Sequence, residues 1–292
     1  MSERRTSMAD YDVMSIRAAA RVMETYSTSF SLATRLLDER TRTDIRNLYA
    51  VVRIADEIVD GTASDAGLSD TRVREELDAF ERAVIHAVDT GFSTNPAIHA
   101  FAGTARRTHM SPDHMTAFFS SMRRDLSCSA VYDDAELSTY IYGSAEVIGL
   151  MCLSIFTADR GFREEELARC TTGARRLGSA FQKVNFLRDL HEDTAELGRS
   201  YLGDGVPLTD RQRDEVIADV RADLNAALET VPLLPVRVRA GVITAVLLYG
   251  ELTDRLAATP ATEIMRSRVS VPTRVKAGIP IRALIIAARM RP

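Results

Sequence analysis

The stretch "IRNLYAVVRIADEIVD", residues 45–60, carries apolar residues at three- and four-residue spacing. That spacing places the apolar side chains on one face of an α-helix, so the stretch predicts a long amphipathic helix. The same period dominates the rest of the chain, and polar segments with glycine or proline separate the periodic stretches. Alternating strand patterns are almost absent, so the sequence predicts an all-α single domain of roughly ten helices. The other long periodic stretches are residues 16–26, 73–88, 114–126, 136–156, 164–190, 210–228 and 236–256.

The composition indicates a folded domain with a sizeable core. Hydrophobic residues make up 46% of the 292 residues, which argues against general disorder. Residues 1–10, "MSERRTSMAD", are polar and lack an apolar signal core, so we expect a disordered N-terminal segment, with residues 11–292 forming the domain. The apolar runs at 242–249 and 147–156 do not resemble membrane spans, because the first is too short and the second has Glu146 at its edge.

Charge and cysteine content narrow the functional classes. The net charge of -4 gives no indication of nucleic-acid binding. The three cysteines have no paired spacing, so neither a disulfide framework nor a zinc site is predicted. We therefore expect a cytoplasmic protein without a nucleic-acid partner.

Two separate predicted helices carry aspartates four residues apart. Asp56 and Asp60 form the first pair, and Asp189 and Asp193 form the second, with Asn185 one turn before Asp189. Such pairs are usually solvated surface, and like charges at this spacing destabilise a helix. Here both pairs adjoin strongly apolar stretches, where carboxylates must be paired or must bind metal.

Carboxylates with nearby arginines favour a particular ligand. Four aspartates from two helices supply hard oxygen ligands, which suit Mg²⁺. Arg53 lies three residues before Asp56, and Arg188 directly precedes Asp189. Arginine donates two parallel hydrogen bonds to phosphate oxygens, so the combination predicts a bound diphosphate. A di-iron bundle requires Glu-x-x-His pairs, and the sequence contains none.

Several motifs in order resemble those of the squalene and phytoene synthase family, the head-to-head prenyl transferases. The resemblance runs from about Tyr26 to about Val269. The family's first aspartate motif usually has two adjacent aspartates where this chain has Asp56-Glu57, and the middle motif has Glu146 near the expected tail pocket. The matching segments are "YSTSFSLATRLL" (26–37), "YAVVRIADEIVD" (49–60), "YIYGSAEVIGLM" (140–151), "QKVNFLRDLHEDTAELGRSYL" (182–202) and "RSRVSVP" (266–272).

The resemblance implies a fold and a reaction. It implies a helical bundle with a central cavity, similar to class I isoprenoid synthases. Two allylic diphosphates would condense through a cyclopropylcarbinyl diphosphate with the help of Mg²⁺, which Mn²⁺ could replace. The segment "LGRSYL" (197–202) is more similar to bacterial phytoene synthases than to squalene synthases. This similarity implies geranylgeranyl diphosphate as substrate. No glycine-rich dinucleotide loop is present, so we expect no nicotinamide cofactor.

The resemblance also implies residue roles. Metal ions would be held by oxygen ligands and diphosphate by donor groups, while aromatic rings would face the carbocations. Ser27 and Ser29 have a second interpretation as helix N-caps, and the aromatic rings have a second interpretation as core. No dedicated base is evident, and departing diphosphate or a tyrosine hydroxyl could take the proton. The metal ligands are Asp56, Asp60, Asn185, Asp189 and Asp193; the diphosphate contacts are Ser27, Ser29, Arg53, Gln182, Arg188 and Arg268; the aromatic residues are Phe30, Tyr49, Tyr140 and Tyr249.

Alternatives stay open at this stage. A C30 synthase acting on farnesyl diphosphate differs only in pocket depth. A class I terpene cyclase would bind metal through an Asn-x₃-Ser-x₃-Glu motif, whose spacing Asn185, Asp189 and Asp193 match, but it would consume one diphosphate substrate. A head-to-tail elongase is disfavoured because "GTASDAG" (61–67) follows Asp60 in place of paired arginines. A non-catalytic relative is disfavoured because it would have lost metal-binding aspartates, and all four are present here. Since the product is an insoluble hydrocarbon, we expect reversible association with a membrane surface; the oligomeric state is left open.

Overall fold

The computed structural model describes residues 7–126, 134–191 and 208–290, and these residues form helices without any strand. Ten of the α-helices have 11 residues or more, which confirms the predicted all-α bundle of roughly ten helices. The helices are α1 Ser7–Tyr26, α2 Thr28–Thr34, α3 Glu39–Val59, α4 Thr62–Asp65, α5 Asp70–Thr90, α6 Pro96–Arg107, α7 Pro112–Asp125, α8 Asp134–Ile141, α9 Val147–Thr157, α10 Glu164–Arg188, α11 Asp210–Thr230, α12 Val236–Ala258, α13 Ala261–Ile264 and α14 Thr273–Arg289.

The N-terminal boundary differs from the sequence prediction. Helix α1 begins at Ser7, so residues 7–10 are helical and do not belong to a disordered segment. The amphipathic pattern of α1 continues through these residues, and Tyr11 donates a hydrogen bond to the carbonyl of Ser93 at 2.9 Å. The helix that this contact anchors therefore begins four residues before the predicted domain boundary.

Helix α3, which carries the first aspartate pair, has clear start and stop signals. Asp38 caps its N-terminus by accepting a hydrogen bond from the backbone N–H of Thr41 at 3.1 Å. At the other end Gly61 adopts φ +115°, a conformation that glycine reaches without strain, and the helix stops. Asp60 therefore lies at the C-terminal cap of α3, one turn beyond Asp56.

Two large apolar clusters fill the bundle. The first core joins α3, α5, α6, α7 and α9 and contains Leu48, Phe101 and Phe119. The second core joins α10, α11 and α12 and contains Val184 and Leu256. The first core comes from residues 48–155 and the second from residues 180–271, so the two aspartate-bearing helices α3 and α10 belong to different cores.

Close helix packing joins the two halves. Helices α8 and α9 are continuous through a π-helical turn, Tyr142–Glu146, and this segment lies against α10. A Cβ added to Gly178 of α10 would lie 2.8 Å from the carbonyl carbon of Ala145, and one added to Gly149 would lie 3.0 Å from that of Ala174. Both neighbours are backbone, so only glycine permits this approach.

One helical stretch among the described residues, Ala135–Thr157, is long and apolar enough to cross a membrane by length and composition alone. The sequence pattern did not predict a span there, because Glu146 interrupts it. Half of the apolar window is buried inside the protein, where the stretch packs against α3, α7 and α10. Core helices meet the same criterion, and the contacts of this helix are those of a core helix.

Candidate active site

A cavity of about 750 Å³ lies between the two cores. Its polar end is lined by charged and amide side chains from α3, α7, α10, α14 and the segment that leads into α14, and its other end is apolar. The polar side chains are Arg53, Asp56, Asp60, Asp125, Gln182, Asn185, Arg188, Asp189, Arg268 and Lys276. The apolar end includes Leu37, Ile45, Cys152, Leu153, Phe156, Cys170, Leu234 and Val242.

Asp56 is the most strongly perturbed carboxyl group at the polar end. Its side chain is 30% exposed, and because Asp56 lines the cavity, that surface faces the cavity and not open solvent. Burial, followed by the negative charge of Asp60, raises the pKa of Asp56 well above its usual value. The ionised form of Asp56 is therefore disfavoured in this cavity. A bound cation would favour that form.

Asp125 is a third carboxylate of this cluster that the sequence analysis missed. It is the last residue of α7, lines the cavity, and its charge also raises the pKa of Asp56. In the sequence it is a single aspartate after two arginines, with no partner at helical spacing. Only the tertiary packing of α7 against α3 brings it to the site.

Arg53 lines the cavity as predicted, but its guanidinium is engaged locally. It forms an ion pair with Glu57 one turn away and lies 4.0 Å from Asp56. The same group sits 4.7 Å from the centre of the Tyr26 ring. Glu57, which replaces the family's second aspartate, therefore holds Arg53 beside the first acidic pair.

Asp189, at the opposite wall, is bound by two arginines. Asp189 caps the C-terminus of α10, and its carboxylate accepts a hydrogen bond from Nε of Arg188 at 2.8 Å. Arg268, more than seventy residues later, lies 3.1 Å from the same carboxylate. Two of the three arginines predicted to bind diphosphate thus converge on one predicted metal ligand. Asp193 and the "LGRSYL" segment lie outside the described residues.

Asn185 and Gln182 both line the cavity, as predicted. The side-chain oxygen of Asn185 is buried and has no hydrogen-bond partner within the described residues. A buried acceptor without a donor is costly, and a cation or a donor group of a ligand would satisfy it. This oxygen is therefore suited to ligand contact.

Ser27 and Ser29 line the cavity, and the N-cap interpretation is confirmed for Ser27. The hydroxyl of Ser27 caps α2 by accepting a hydrogen bond from the backbone N–H of Phe30 at 3.0 Å. Lys276, which the sequence analysis missed, reaches the same rim from α14 and lies 3.4 Å from the hydroxyl oxygen of Thr28. The start of α2 therefore contributes hydroxyl groups, and α14 contributes a cation.

Replacing Ser27 by alanine should lower the free energy of unfolding by about 1 kcal/mol, because the N-cap is lost. Replacing it by glycine should lower that free energy by only a few tenths of a kcal/mol, because glycine is tolerated at N-caps. Urea unfolding of both variants measures the contribution of the N-cap to the free energy of unfolding. If Ser27→Gly folds normally and keeps full turnover, a substrate-binding role for the hydroxyl is contradicted.

Aromatic side chains form the boundary between the polar and apolar ends. Phe181, also missed from sequence, stacks on Tyr249 with ring centres 3.7 Å apart, and Phe30 lies 6.2 Å from Tyr249. Burial raises the pKa of Tyr49 to about 12, so its phenol stays protonated and neutral. Tyr140 stacks on Phe186 at 6.1 Å and is almost fully buried, so it combines a cavity position with a packing role.

The chemistry of these donors fits a divalent cation. The acidic wall consists of acceptor-only carboxylates whose mutual repulsion a cation would relieve, and Asn185 adds a buried unpartnered oxygen. Within the described ranges, no three histidine, cysteine or acidic residues are close enough to form a complete metal site. The predicted ligands are therefore grouped at one end of the cavity but distributed over its two walls.

Glu146 does not enter the cavity, contrary to the expectation from sequence. Its carboxylate accepts a hydrogen bond from Nε of Arg175 at 2.6 Å, and Glu146 is not among the lining residues. The π-helical turn that contains Glu146 directs the side chains of Ser144 and Ala145 to the cavity instead. The side chains that form the cavity wall at this turn are therefore small and uncharged.

Comparisons with known proteins identify the family and the fold. The sequence profile of squalene/phytoene synthase matches residues 23–206. The chain is 30% identical over 190 residues to a phytoene synthase of Mycobacterium tuberculosis, covering 64% of this chain but only 56% of that relative. It is 30% identical over 213 residues to a presqualene diphosphate synthase of Zymomonas mobilis, covering 70% and 67% of the two chains. A dehydrosqualene synthase crystal structure superposes with a TM-score of 0.78 at 20% identity, covering 96% and 98%.

The chain belongs to the squalene/phytoene synthase family, because the family profile matches more than half of its length. The likeness to the solved structure confirms the fold, including the predicted helical bundle. Members of this family are prenyltransferases of isoprenoid biosynthesis that condense isoprenyl diphosphates head to head and typically use a divalent metal. The relatives above differ in product, so family membership leaves the particular substrate undefined.

Proposed function

We propose that this protein is a phytoene-synthase-type prenyltransferase that joins two molecules of geranylgeranyl diphosphate. The observation that carries the proposal is the cavity between the two cores, with one aspartate-bearing helix from each core at its polar end and an apolar remainder. A long apolar tail with a charged head has this division of polarity. The predicted residues Asp56, Asp60, Asn185 and Asp189 all line that polar end.

Binding of diphosphate follows from the charges at the rim. Arg188, Arg268 and Lys276 supply donors for the phosphate oxygens. Mg²⁺ held by Asp56, Asp60, Asn185 and Asp189, with Asp193 beyond the described residues, would act as a Lewis acid on the leaving group. Diphosphate in this place would also release Arg188 and Arg268 from their present contacts with Asp189.

The residues beyond the polar end direct the organic half of the reaction. Loss of the first diphosphate breaks a carbon–oxygen bond, and the double bond of the second substrate attacks the resulting cation. The new cation then loses a proton to the departed diphosphate as the three-membered ring closes, which gives a cyclopropylcarbinyl diphosphate. Phe30, Phe181 and Tyr249 present aromatic faces that attract the cation, and the apolar walls exclude water. Loss of the second diphosphate and rearrangement follow, and departing diphosphate takes the final proton, which gives phytoene.

The depth of the cavity supports the longer substrate. Along α10, lining residues extend from Cys170 to Asp189, a distance of 19 residues or about 28 Å of helix. An extended geranylgeranyl chain of about 16 carbons spans about 18 Å, at the rise per bond of an extended backbone. The tail therefore fits between the polar end and the apolar floor with its diphosphate at Asp189. A C30 synthase acting on farnesyl diphosphate is the second candidate, supported by the dehydrosqualene synthase likeness.

With geranylgeranyl diphosphate and Mg²⁺ but without a nicotinamide cofactor, the purified protein should form a C40 hydrocarbon with the spectrum of phytoene. The assay uses geranylgeranyl and farnesyl diphosphate in parallel and identifies the hydrocarbon by mass spectrometry. Each product molecule should release two diphosphates. Turnover of farnesyl diphosphate alone identifies the C30 candidate, and one diphosphate per C20 product identifies a terpene cyclase. A strict requirement for NADPH would contradict the proposal.

The proposed product is a hydrocarbon that water does not dissolve. We therefore include reversible association with a membrane surface in the proposed function. Such association requires a surface that lipid can contact.

A further inference from the structure

Helix α14 presents an apolar face to solvent. Ile281 is 65% exposed, and Leu284 and Ile285 are each 49% exposed. At 100° per residue these side chains and Ala288 lie on one side of the helix. The fully buried Ala283 lies on the opposite side. We name Ala277, Ile281, Leu284, Ile285 and Ala288 the outer face of α14.

The helix itself is held firmly against the bundle. Ala283 packs with Ile243 of α12 and with Val231, both of which are buried. Arg239 of α12 donates a hydrogen bond to the carbonyl of Met290 at 3.3 Å, directly after the last residue of α14. The outer face therefore belongs to an anchored helix, and its exposure does not result from a frayed end.

The charge of α14 is opposite to that of the whole protein. Residues 273–290 include four basic residues and no acidic residue, whereas the full chain has a net charge of -4. Arg274 lies one turn before Ala277 on the same side of the helix, and Arg282 and Arg289 follow one edge of the outer face. Among the described residues, none of these three arginines forms an ion pair. Their positive charge is therefore available to a ligand outside the molecule.

The inner side of the same helix borders the cavity. Lys276, near its N-terminus, lines the polar end. Val231 and Val242 line the apolar end and pack beneath Ala283 and Ile286 of α14. Whatever binds the outer face thus lies one helix diameter, about 10 Å, from the cavity.

We propose that the outer face of α14 is the surface by which this protein docks on an anionic lipid membrane. An amphipathic helix with an apolar face and basic flanks lies in the membrane interface with its apolar side chains among the acyl chains. Each arginine near an anionic surface adds attraction, so the basic edge selects acidic headgroups. The membrane is the sink for the hydrocarbon of the proposed function, and the inference rests on that function for its purpose only.

Two other occupants fit the face less well. In a symmetric dimer through this face, the arginines of one copy would meet those of the other, which is unfavourable. The helix is about 26 Å long and about 10 Å wide, so its footprint of about 260 Å² is far below the roughly 800 Å² per partner of a stable interface. A nucleic acid would leave the exposed Ile281, Leu284 and Ile285 without apolar partners.

The test is flotation of the full-length protein, without substrate, with two kinds of vesicle. One kind contains phosphatidylcholine alone, and the other contains phosphatidylcholine with phosphatidylglycerol. The outer-face variant changes Ile281, Leu284 and Ile285 to glutamine. A matched control changes Met14, Ile85 and Leu167 to glutamine, which are 41%, 44% and 42% exposed on other helices. A third variant changes Arg274, Arg282 and Arg289 to glutamine.

Wild-type protein and the matched control should float with the anionic vesicles and much less with the neutral ones. The outer-face variant should bind at least about tenfold more weakly, and the arginine variant about fivefold more weakly for each charge removed. High salt should weaken the wild-type binding in the same way. Absence of wild-type binding, or equal binding of the outer-face variant, overturns the proposal. A wild-type dimer that the outer-face variant dissociates overturns it in favour of a second copy.

These measurements do not depend on turnover. If the product assay yields no hydrocarbon but the flotation pattern holds, the proposed chemistry fails and the docking surface stands. If phytoene forms while the outer-face variant floats normally, the docking surface fails and the chemistry stands.

Discussion

Asp56→Asn should lower the turnover number about a thousandfold, while the metal-free variant should melt at the same temperature as the wild type or higher. A loss of about 4 kcal/mol of transition-state stabilisation corresponds to that factor and is typical of a removed charge at a Lewis-acid site. The second expectation follows from the raised pKa of Asp56, because burial and Asp60 oppose its ionisation. Asparagine keeps the shape and removes the repulsion.

A buried aspartate outside the cavity supplies the matched control. Asp223 is 2% exposed and binds Arg176, Ser179 and Lys183 at 2.9, 3.0 and 2.9 Å. Removing one partner of a buried ion pair is strongly destabilising, by about 3–5 kcal/mol. Asp223→Asn should therefore lower the melting temperature and keep the turnover of the folded fraction. An active but destabilised Asp56→Asn would give Asp56 the same structural role and contradict the site.

The pH dependence of the Asp56 effect has a definite sign. The folded-state pKa lies above the unfolded value of 3.8, so between the two values the native state holds the proton more tightly. The contribution of Asp56 to the free energy of unfolding therefore falls as pH rises through that window, and the penalty is complete above the folded pKa. In urea unfolding with a chelator present, the free energy of unfolding of Asp56→Asn should rise relative to that of the wild type from about pH 4 upward.

Asp189 should behave differently from Asp56 in the same melts. Arg188 and Arg268 already compensate its charge, so Asp189→Asn removes attraction and not repulsion. We expect loss of turnover together with a small loss of stability. Mg²⁺ with an inert diphosphate analogue should raise the wild-type midpoint more than that of either variant, since a ligand at about 100 times its dissociation constant adds about 2.7 kcal/mol.

Gly178→Ala should lower the free energy of unfolding by about 1–3 kcal/mol, the usual range for overpacking. The added methyl group would lie 2.8 Å from the carbonyl carbon of Ala145 and 2.9 Å from Cα of Glu146, and both are backbone atoms. Helix α10 must then move away from the π-helical turn. For a domain of this size we expect a drop of about 2–4 °C in the melting temperature for each kcal/mol.

Gly103→Ala is the control for this substitution. Gly103 lies inside α6, and an added Cβ has no neighbour within 4 Å. Alanine should stabilise that helix by about 0.8–1.0 kcal/mol, because glycine is the poorer helix former. Circular dichroism melts should therefore shift in opposite directions for the two variants. A shift of the same sign in both would contradict the close packing of α10 against the π-helical turn.

The spacing of residues along the sequence predicted the helices and most of the candidate site. Both the apolar residues and the paired polar residues recur every three to four positions. Asp56 and Asn185 follow that period and line the cavity, as expected. Asp125 and Lys276 also line it, but each is a single charged residue on a helix whose period reflects only packing. Phe181 lies one turn before Asn185 on α10, but an apolar side chain at that spacing is the usual pattern of a core residue. Their position depends on how helices meet, which single-helix spacing does not encode.

The sequence pattern also did not predict which side chains of the middle motif face the cavity. Glu146 was expected near the tail pocket, but the π-helical turn adds a residue to the local ring and changes which side chains face the cavity. The pairing of Arg268 with Asp189 joins segments far apart in the chain. The family resemblance placed Arg268 at the site, and only the fold identifies its partner.

The separation of the two cores has a consequence for cooperativity. Helix α3 belongs to one core and α10 to the other, and glycine-mediated contacts of α9 and the π-helical turn with α10 join them across the cavity. The two halves can therefore open as separate units, and slow amide hydrogen exchange should show two classes of protection. A ligand that reaches both Asp56 and Asp189 would add a second link between these units, so substrate would convert two foldons into one.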